Sequence, residues 1–160
     1  MIKRILFNRF FVSLQLQFMA KTIRTLTTAI ALLATGGLTY LLFRPCTLLM
    51  FRVIDALGAT ACLEKCRVWA SGPGIQLPEW IIYSLPNALW SAAYILTVEA
   101  LLKPSRSKVA IAGIMPVAGT VSEWLQAAGV LRGTFDVLDV AAYILPYFAY
   151  LAYQTKNSII

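Results

Sequence analysis

The sequence contains no histidine, and charged residues make up only 13% of its 160 residues. Soluble globular domains carry about 25% charged residues, so the composition excludes an ordinary water-soluble fold. Without histidine, a Ser-His-Asp triad and a histidine-ligated zinc site lack an essential part. The sequence also lacks G-x-S-x-G, H-E-x-x-H and any glycine-rich phosphate loop. The usual acyl-transfer, zinc and nucleotide chemistries therefore have no support.

Apolar residues dominate what is present. They make up 59% of the chain, and the mean hydropathy is +0.73. The 14 Lys and Arg residues give a net charge of +7, but they lie in the gaps between apolar runs and form no basic face. A charge at the centre of a membrane helix costs about 2.5–3.5 kcal/mol, which explains this distribution. The pattern indicates one integral membrane domain and no nucleic-acid partner.

Four apolar stretches approach the roughly 20 residues that a helix needs to cross a bilayer. They cover residues 25–43, 80–102, 109–131 and 136–153. Short links at 103–108 and 132–135 make neighbouring spans antiparallel. The sequence therefore predicts an all-α membrane bundle of four transmembrane helices within residues 25–160.

The Lys and Arg residues of the flanks predict the orientation of these spans. Nine of them lie in the N-terminal segment, the 103–108 link and the C-terminus, and five lie on the opposite side. Because positively charged loops stay in the cytoplasm, both termini are predicted to be cytoplasmic.

Two segments are not predicted to span. The basic segment 1–24 begins with residues that fit an interfacial helix on anionic lipid, or else an extension that precedes a true start at Met19. The outer stretch 44–79 predicts a short interfacial helix that ends near Gly58. This stretch contains all three cysteines, namely Cys46, Cys62 and Cys66. Idle thiols, one disulfide and a metal site remain alternatives for them, and no metal is assigned.

Polar side chains inside the predicted spans are the candidate functional residues, because ionisable groups are costly there and usually face the bundle interior. Glu123 lies about 12 Å below the outer end of the third span, and Gln126 shares its helix face. Two readings of Glu123 stay open. It is either a hydrogen-bonding partner for a neighbouring helix or part of a substrate, ion or proton site.

The fourth and second spans carry further candidates. Asp136 and Asp139 begin the fourth span, where an N-cap and a first-turn acid are the structural alternatives to a binding role. Tyr143 follows on the same stripe and is interpreted as a packing or interface residue. The second span carries Asn87 and Trp90 on one face, and Trp90 is predicted to pack inside the bundle or to line a cavity.

The predicted orientation separates these residues by leaflet. The intramembrane acids and amides converge on the outer side, where Arg44, Arg52 and Arg132 occupy the adjoining loops. A pocket there would take a lipid head group or a charged wall precursor. At the inner end, Glu99 precedes Lys103 by four residues, which predicts an ion pair.

The stretch SEWLQAAGVLRGTFDVLDVAAY resembles the hallmark of VanZ-like membrane proteins. In that family a Glu and a Gln three residues later precede a Gly or Arg turn and an Asp near the start of the next span. Glu123, Gln126, Arg132 and Asp139 match this pattern in kind and order over about the last third of the chain. The sequence departs from the pattern at Tyr143, where Asn is typical, and it lacks the family's early His.

The resemblance implies a small multi-pass protein of the bacterial cytoplasmic (inner) membrane and no cofactor. The founding member is linked to resistance to the glycopeptide teicoplanin by a mechanism that is not established. The leading hypothesis is a VanZ-like protein that binds a lipid or wall component, or alters its display, at the outer leaflet. The implied partners are membrane lipid, a lipid-linked or glycopeptide-type ligand and further copies in a homo-oligomer.

Two other functions remain as alternatives. The chain is either a small oligomeric transporter or channel with Glu123 in an ion or proton path, or a membrane enzyme that uses Glu123 and Asp139 as acid and base on a lipid-linked substrate. The enzyme is the least favoured, because two carboxylates alone assign no catalytic residue.

Overall fold

A computed structural model describes residues 2–44, 49–72 and 77–156, and every regular element in these ranges is an α-helix. The predicted all-α class is therefore confirmed for the described part of the chain. The helices are α1 (Ile2–Phe43), α2 (Leu49–Ala56), α3 (Thr60–Ala70), α4 (Glu79–Tyr83), α5 (Leu85–Leu101), α6 (Arg106–Ala112), α7 (Ile114–Ala127) and α8 (Val137–Lys156). By length and composition, two helical stretches could cross a membrane, namely Val12–Phe43 and Glu79–Leu101.

Helix α1 continues without a break through residue 24, where the sequence predicted the basic segment to end. It contains 42 residues, which corresponds to about 63 Å at 1.5 Å per residue. This length is roughly twice the hydrocarbon thickness of a bilayer. The basic segment and the first predicted span therefore belong to one helix.

The outer stretch folds into two short helices, α2 and α3, whereas the sequence predicted one. Gly58 ends α2 as predicted, with φ +68°. The Gly58 N–H donates to the Asp55 carbonyl at 2.9 Å, and the Ala59 N–H donates to the Ile54 carbonyl at 3.1 Å. These two bonds form a Schellman cap, in which glycine adopts the left-handed conformation without a steric cost. Helix α3 follows at once because this cap reverses the chain.

Prolines divide the second and third predicted spans. Pro86 and Pro116 have no N–H, so in each case a carbonyl one turn earlier loses its helical donor. The chain breaks at Ser84 between α4 and α5, and at Gly113 between α6 and α7. Each of these two predicted spans therefore consists of two helical segments.

Tyrosine hydroxyls from neighbouring helices bind carbonyls beside the break at Gly113. The Tyr94 hydroxyl of α5 donates to the Ile111 carbonyl at 2.9 Å, and the Tyr147 hydroxyl of α8 donates to the Val109 carbonyl at 3.0 Å. A Cβ atom at Gly113 would lie 2.9 Å from the Tyr147 hydroxyl oxygen. Hydrogen bonds from α5 and α8 therefore stabilise the chain at this break. The absence of a side chain at Gly113 leaves room for the Tyr147 hydroxyl.

The end of α7 lies at Ala127 and not at residue 131, where the sequence placed the end of the third span. Gly129 adopts φ +71°, and its N–H donates to the Gln126 carbonyl at 3.0 Å. The Val130 N–H reaches back to the Leu125 carbonyl at 2.9 Å. This second Schellman cap stops the helix although the residues that follow it are apolar.

Helix α5 is the centre of the bundle. It packs against α1 on one side and α8 on another, and α8 also packs against α7. Helices α1 and α5 run in opposite directions, so the end of α1 lies beside the start of α5. The buried residues of α5 are Pro86, Asn87, Ser91, Ala93, Ile95 and Val98. The bundle therefore brings polar side chains from different helices together at its two ends.

The contact between α1 and α5 gives a test with adjacent positions. A Cβ atom at Gly36 would lie 2.6 Å from Nε1 of Trp90, whereas nothing lies within 4 Å of one at Gly37. We expect Gly36→Ala to lower the free energy of unfolding by about 1–3 kcal/mol, because the indole ring has to move. Gly37→Ala should be neutral or slightly stabilising, because Ala is the better helix former. Denaturant unfolding in micelles measures both, and equal stabilities would contradict this packing.

Candidate functional site

The Glu123 carboxylate is buried between the last turns of α7 and the start of α8, and the residue is only 4% exposed. Its Oε1 accepts a hydrogen bond from Nε2 of Gln126 at 3.1 Å. Its Oε2 accepts one from the backbone N–H of Asp136 at 3.4 Å. Glu123 and Gln126 therefore lie on one helix face as predicted, and they are hydrogen-bonded to each other. The carboxylate joins the end of α7 to the start of α8.

The two aspartates of α8 differ in their surroundings. Oδ1 of Asp136 accepts a hydrogen bond from the Leu138 N–H at 2.8 Å, so the predicted N-cap is confirmed. Asp139 lies in the first turn, where the helix dipole favours a negative charge. Its Oδ1, however, is buried and has no hydrogen-bond partner within the described ranges. Such an atom costs about 1–3 kcal/mol, so a position near the helix start is not a full account of Asp139.

Arg44 reaches the same end of the bundle from α1. Its Nη2 donates to the Tyr83 carbonyl at 2.9 Å. The guanidinium carbon lies 4.7 Å from the centroid of the Tyr83 ring and 5.2 Å from that of the Tyr40 ring. Its Nε is buried and finds no acceptor among the residues that the structure describes. Trp90 packs against Tyr40, with ring centroids 5.4 Å apart, as predicted for a bundle-facing residue.

Tyr143 lies within the electrostatic range of these groups. Its hydroxyl is influenced by the charges of Asp139 on α8, Glu123 on α7 and Arg44 after the end of α1. A Cβ atom at Gly119 of α7 would lie 2.5 Å from the Tyr143 ring, which shows how closely α7 and α8 approach. The sequence pattern alone predicts a packing or interface role for Tyr143. Its position one turn after Asp139 was the signal that could have placed it in the site.

The remaining candidate site residues lie at three separate positions in the structure. Asn87 is buried on α5, one turn before Ser91, whose hydroxyl donates to the Tyr143 carbonyl at 2.9 Å. Arg132 is exposed in the turn between α7 and α8. Arg52 is exposed on α2 and lines a separate cavity of about 270 Å³ between α2 and α3. Of the three arginines expected beside the outer pocket, Arg44 lies against Tyr40 and Tyr83, whereas Arg52 lines the cavity between α2 and α3.

A second polar cluster, at the opposite end of the bundle, was missed by the sequence analysis. Nζ of Lys108, a residue only 3% exposed, lies 2.7 Å from Oε2 of Glu99. The same oxygen accepts hydrogen bonds from the Tyr150 hydroxyl at 3.1 Å and from Nε2 of Gln154 at 2.9 Å. The predicted pair of Glu99 with Lys103 is wrong. Because α5 ends at Leu101, Lys103 lies beyond the helix, where spacing by four residues no longer brings side chains together.

The thiols of Cys62 and Cys66 are free and exposed, one turn apart on α3. Cys46 lies outside the described residues, so the pairing of the three cysteines stays open. Within those residues, no group of three or more His, Cys, Asp or Glu side chains could hold a metal ion.

No protein-family model, curated protein or solved structure matches the chain. The resemblance to VanZ-like proteins therefore depends on the residues that carry it. Among these, Glu123 and Gln126 are hydrogen-bonded to each other, and Asp139 lies near Tyr143. The function of the site has to be argued from this geometry.

We expect Glu123→Ala to lower the free energy of unfolding by about 1–3 kcal/mol. The change leaves the partly buried Asp136 N–H and Gln126 amide without their acceptor. Denaturant unfolding of the purified protein in micelles, followed by circular dichroism, measures the loss. The exposed Glu79 provides a matched control, because Glu79→Ala should change stability by less than about 0.5 kcal/mol. Equal effects of the two substitutions would show that the Glu123 hydrogen bonds do not stabilise the α7–α8 junction.

Proposed function

We propose that this chain is a four-span protein of the bacterial cytoplasmic (inner) membrane with both termini in the cytoplasm. The length of α8 supports a crossing, because its 20 residues span about 30 Å. The pass formed by α6 and α7 is of similar length. Large apolar side chains face outward along these helices, as lipid contact requires. They include Ile114, Val117, Val121, Trp124, Leu145 and Phe148.

The four-span topology predicts which sites a membrane-impermeant thiol reagent reaches in intact cells. In a variant without the native cysteines, Thr134→Cys should be labelled directly. Ser107→Cys should be labelled only after the membrane is permeabilised. These residues lie in the α7–α8 turn and at the start of α6, so they report on opposite sides of one pass. Labelling of both in intact cells, or an external reading from a reporter fused after Lys156, would contradict the topology.

We further propose that the outer end of the bundle binds the polar head group of a lipid or a lipid-linked wall component. The observation that carries this proposal is that two buried polar atoms have no hydrogen-bond partner among the described residues. Nε of Arg44 is a buried donor and Oδ1 of Asp139 is a buried acceptor, and neither has a partner in the described part of the chain. Both residues interact electrostatically with Tyr143. Buried polar groups in proteins are normally hydrogen-bonded, so a ligand that both accepts and donates would satisfy this site.

The charges at this end indicate the kind of head group. Two carboxylates, Glu123 and Asp139, accompany one guanidinium, that of Arg44. An isolated anion is therefore disfavoured, and a head group rich in hydroxyl or amine groups fits better. Both oxygens of Glu123 already accept hydrogen bonds from the protein. Glu123 is thus a positioning residue, whereas Arg44 and Asp139 would contact the ligand.

A glycan-bearing, lipid-linked wall precursor combines these properties with an anchor in the outer leaflet. This proposal retains the function implied by the VanZ-like resemblance, in which the protein changes how a wall component is displayed. It is supported by the position of Asp139, which both matches the family pattern and carries the unpartnered oxygen.

Tolerance to teicoplanin and vancomycin in a Gram-positive host tests this function. Wild-type protein should raise tolerance to teicoplanin selectively. Asp139→Asn and Arg44→Gln, at matched membrane levels, should abolish the gain. The exposed Glu79→Gln serves as the control for a loss of one carboxylate and should behave as the wild type. No gain with the wild-type protein would overturn the envelope function.

Direct binding provides the second measurement. Each of the two substitutions removes one hydrogen bond to a charged group, so the amount of wall-precursor lipid that copurifies with the protein should fall by about tenfold. Full retention of the lipid by Asp139→Asn, with helix content unchanged, would place the ligand elsewhere.

A further inference from the structure

The inner end of the bundle contains a cavity that the outer site does not use. Its volume is about 530 Å³, and it lies between α1 and the end of α5. Three lysines and one carboxylate line it, namely Lys21, Lys103, Lys108 and Glu99. The hydroxyl-bearing residues Thr22 and Thr25 of α1 complete its polar wall.

The positive charges that line this cavity outnumber the negative charge. Glu99 pairs with Lys108 at 2.7 Å and is further occupied by Tyr150 and Gln154. Neither Lys21 nor Lys103 forms an ion pair with an acidic residue within the described ranges. Two uncompensated positive charges therefore face the cavity. Phosphate is an anion that lysine ammonium groups bind in many proteins.

An apolar slot continues from this cavity. The second cavity has a volume of about 400 Å³ and shares Lys21, Thr25 and Glu99 with the first. It runs between α5 and α8, where its walls are mainly apolar and include Leu96 and Ala149. In the four-span orientation this slot points from the cytoplasmic surface towards the bilayer centre. A charged cavity next to an apolar slot can accommodate the head group and one acyl chain of a phospholipid, whereas a free anion would occupy only the charged cavity.

We infer that these joined cavities bind one anionic phospholipid of the cytoplasmic leaflet. The phosphate lies between Lys21 and Lys103, and one acyl chain lies in the slot between α5 and α8. Lysines near a membrane surface contribute about 1 kcal/mol each to the binding of anionic lipid. The inference rests on the membrane placement proposed above, but it is independent of the outer-leaflet ligand.

The first test compares lipids on the purified full chain in neutral detergent. Phosphatidylglycerol and phosphatidylcholine with the same acyl chains are titrated as mixed micelles, and native mass spectrometry counts the bound lipid. Phosphatidylglycerol should bind more tightly. The double variant Lys21→Gln, Lys103→Gln should weaken its binding by about 30-fold. The double variant Lys65→Gln, Lys156→Gln removes two exposed lysines outside both cavities and should bind as the wild type does.

A second variant separates the lipid from a free anion. Ala149→Trp fills the slot and should weaken phosphatidylglycerol binding while the lysines remain in place. Wild-type protein should show no comparable affinity for inorganic phosphate in calorimetry, because phosphate lacks the acyl chain. Circular dichroism and gel filtration verify the fold of every variant.

Three results would overturn the inference. They are equal affinity for the two lipids, unchanged binding by the Lys21 and Lys103 double variant, and binding of inorganic phosphate as tight as that of phosphatidylglycerol. If the lipid-binding tests fail while the thiol labelling gives the expected pattern, the lipid site alone is overturned. If the labelling fails while lipid binding is selective, the four-span topology and the assignment of the lipid to the cytoplasmic leaflet are overturned, whereas anionic-lipid binding at these cavities is not.

Discussion

Two carboxylates that are largely removed from water, Glu123 and Glu99, need hydrogen-bond donors, and this need determines how α8 is held in the bundle. Glu123 of α7 accepts the N–H of Asp136 at the start of α8. Glu99 of α5 accepts hydrogen bonds from Tyr150 and Gln154 near its end. An ionised group that leaves water must find its partners inside the protein, so these bonds specify the depth and the rotation of α8. The polar residues at both ends of the bundle depend on that placement.

The two ends of the bundle differ in the polar groups and charges that remain without a partner. At the inner end the Glu99 oxygen has three donors, two lysines around it have no acidic partner, and Oε1 of Gln154 is a buried acceptor without a partner in the described residues. At the outer end Glu123 is satisfied, but Arg44 and Asp139 each retain a buried polar atom without a partner in the described residues. A satisfied carboxylate stabilises the fold, whereas an unmatched donor and acceptor favour a ligand. The two ends therefore differ in the groups that they offer to a ligand, a donor and an acceptor at one end and lysine ammonium groups at the other.

Local features of the site could be predicted from the sequence, and distant ones could not. The Glu123–Gln126 bond follows from spacing on one helix, and the cap at Asp136 follows from the start of the next. The pairing of Glu99 with Lys108 depends on where α5 ends and how the next helix returns. Spacing alone favoured Lys103. Tyr143 was missed for a similar reason, because its neighbours Arg44 and Glu123 come from other helices. The two-helix outer stretch depended on one glycine, Gly58, whose position the pattern did indicate.

The bend at Gly113 has a mechanical consequence. Hydroxyl groups from α5 and α8 hold the two carbonyls beside it, so the pass cannot straighten unless both bonds break. Glu123, near the other end of α7, is hydrogen-bonded to the start of α8. Helix α8 is therefore bound to the α6–α7 segment at two places, beside Gly113 and at Glu123. A change in the position of α8 would have to be accommodated at both.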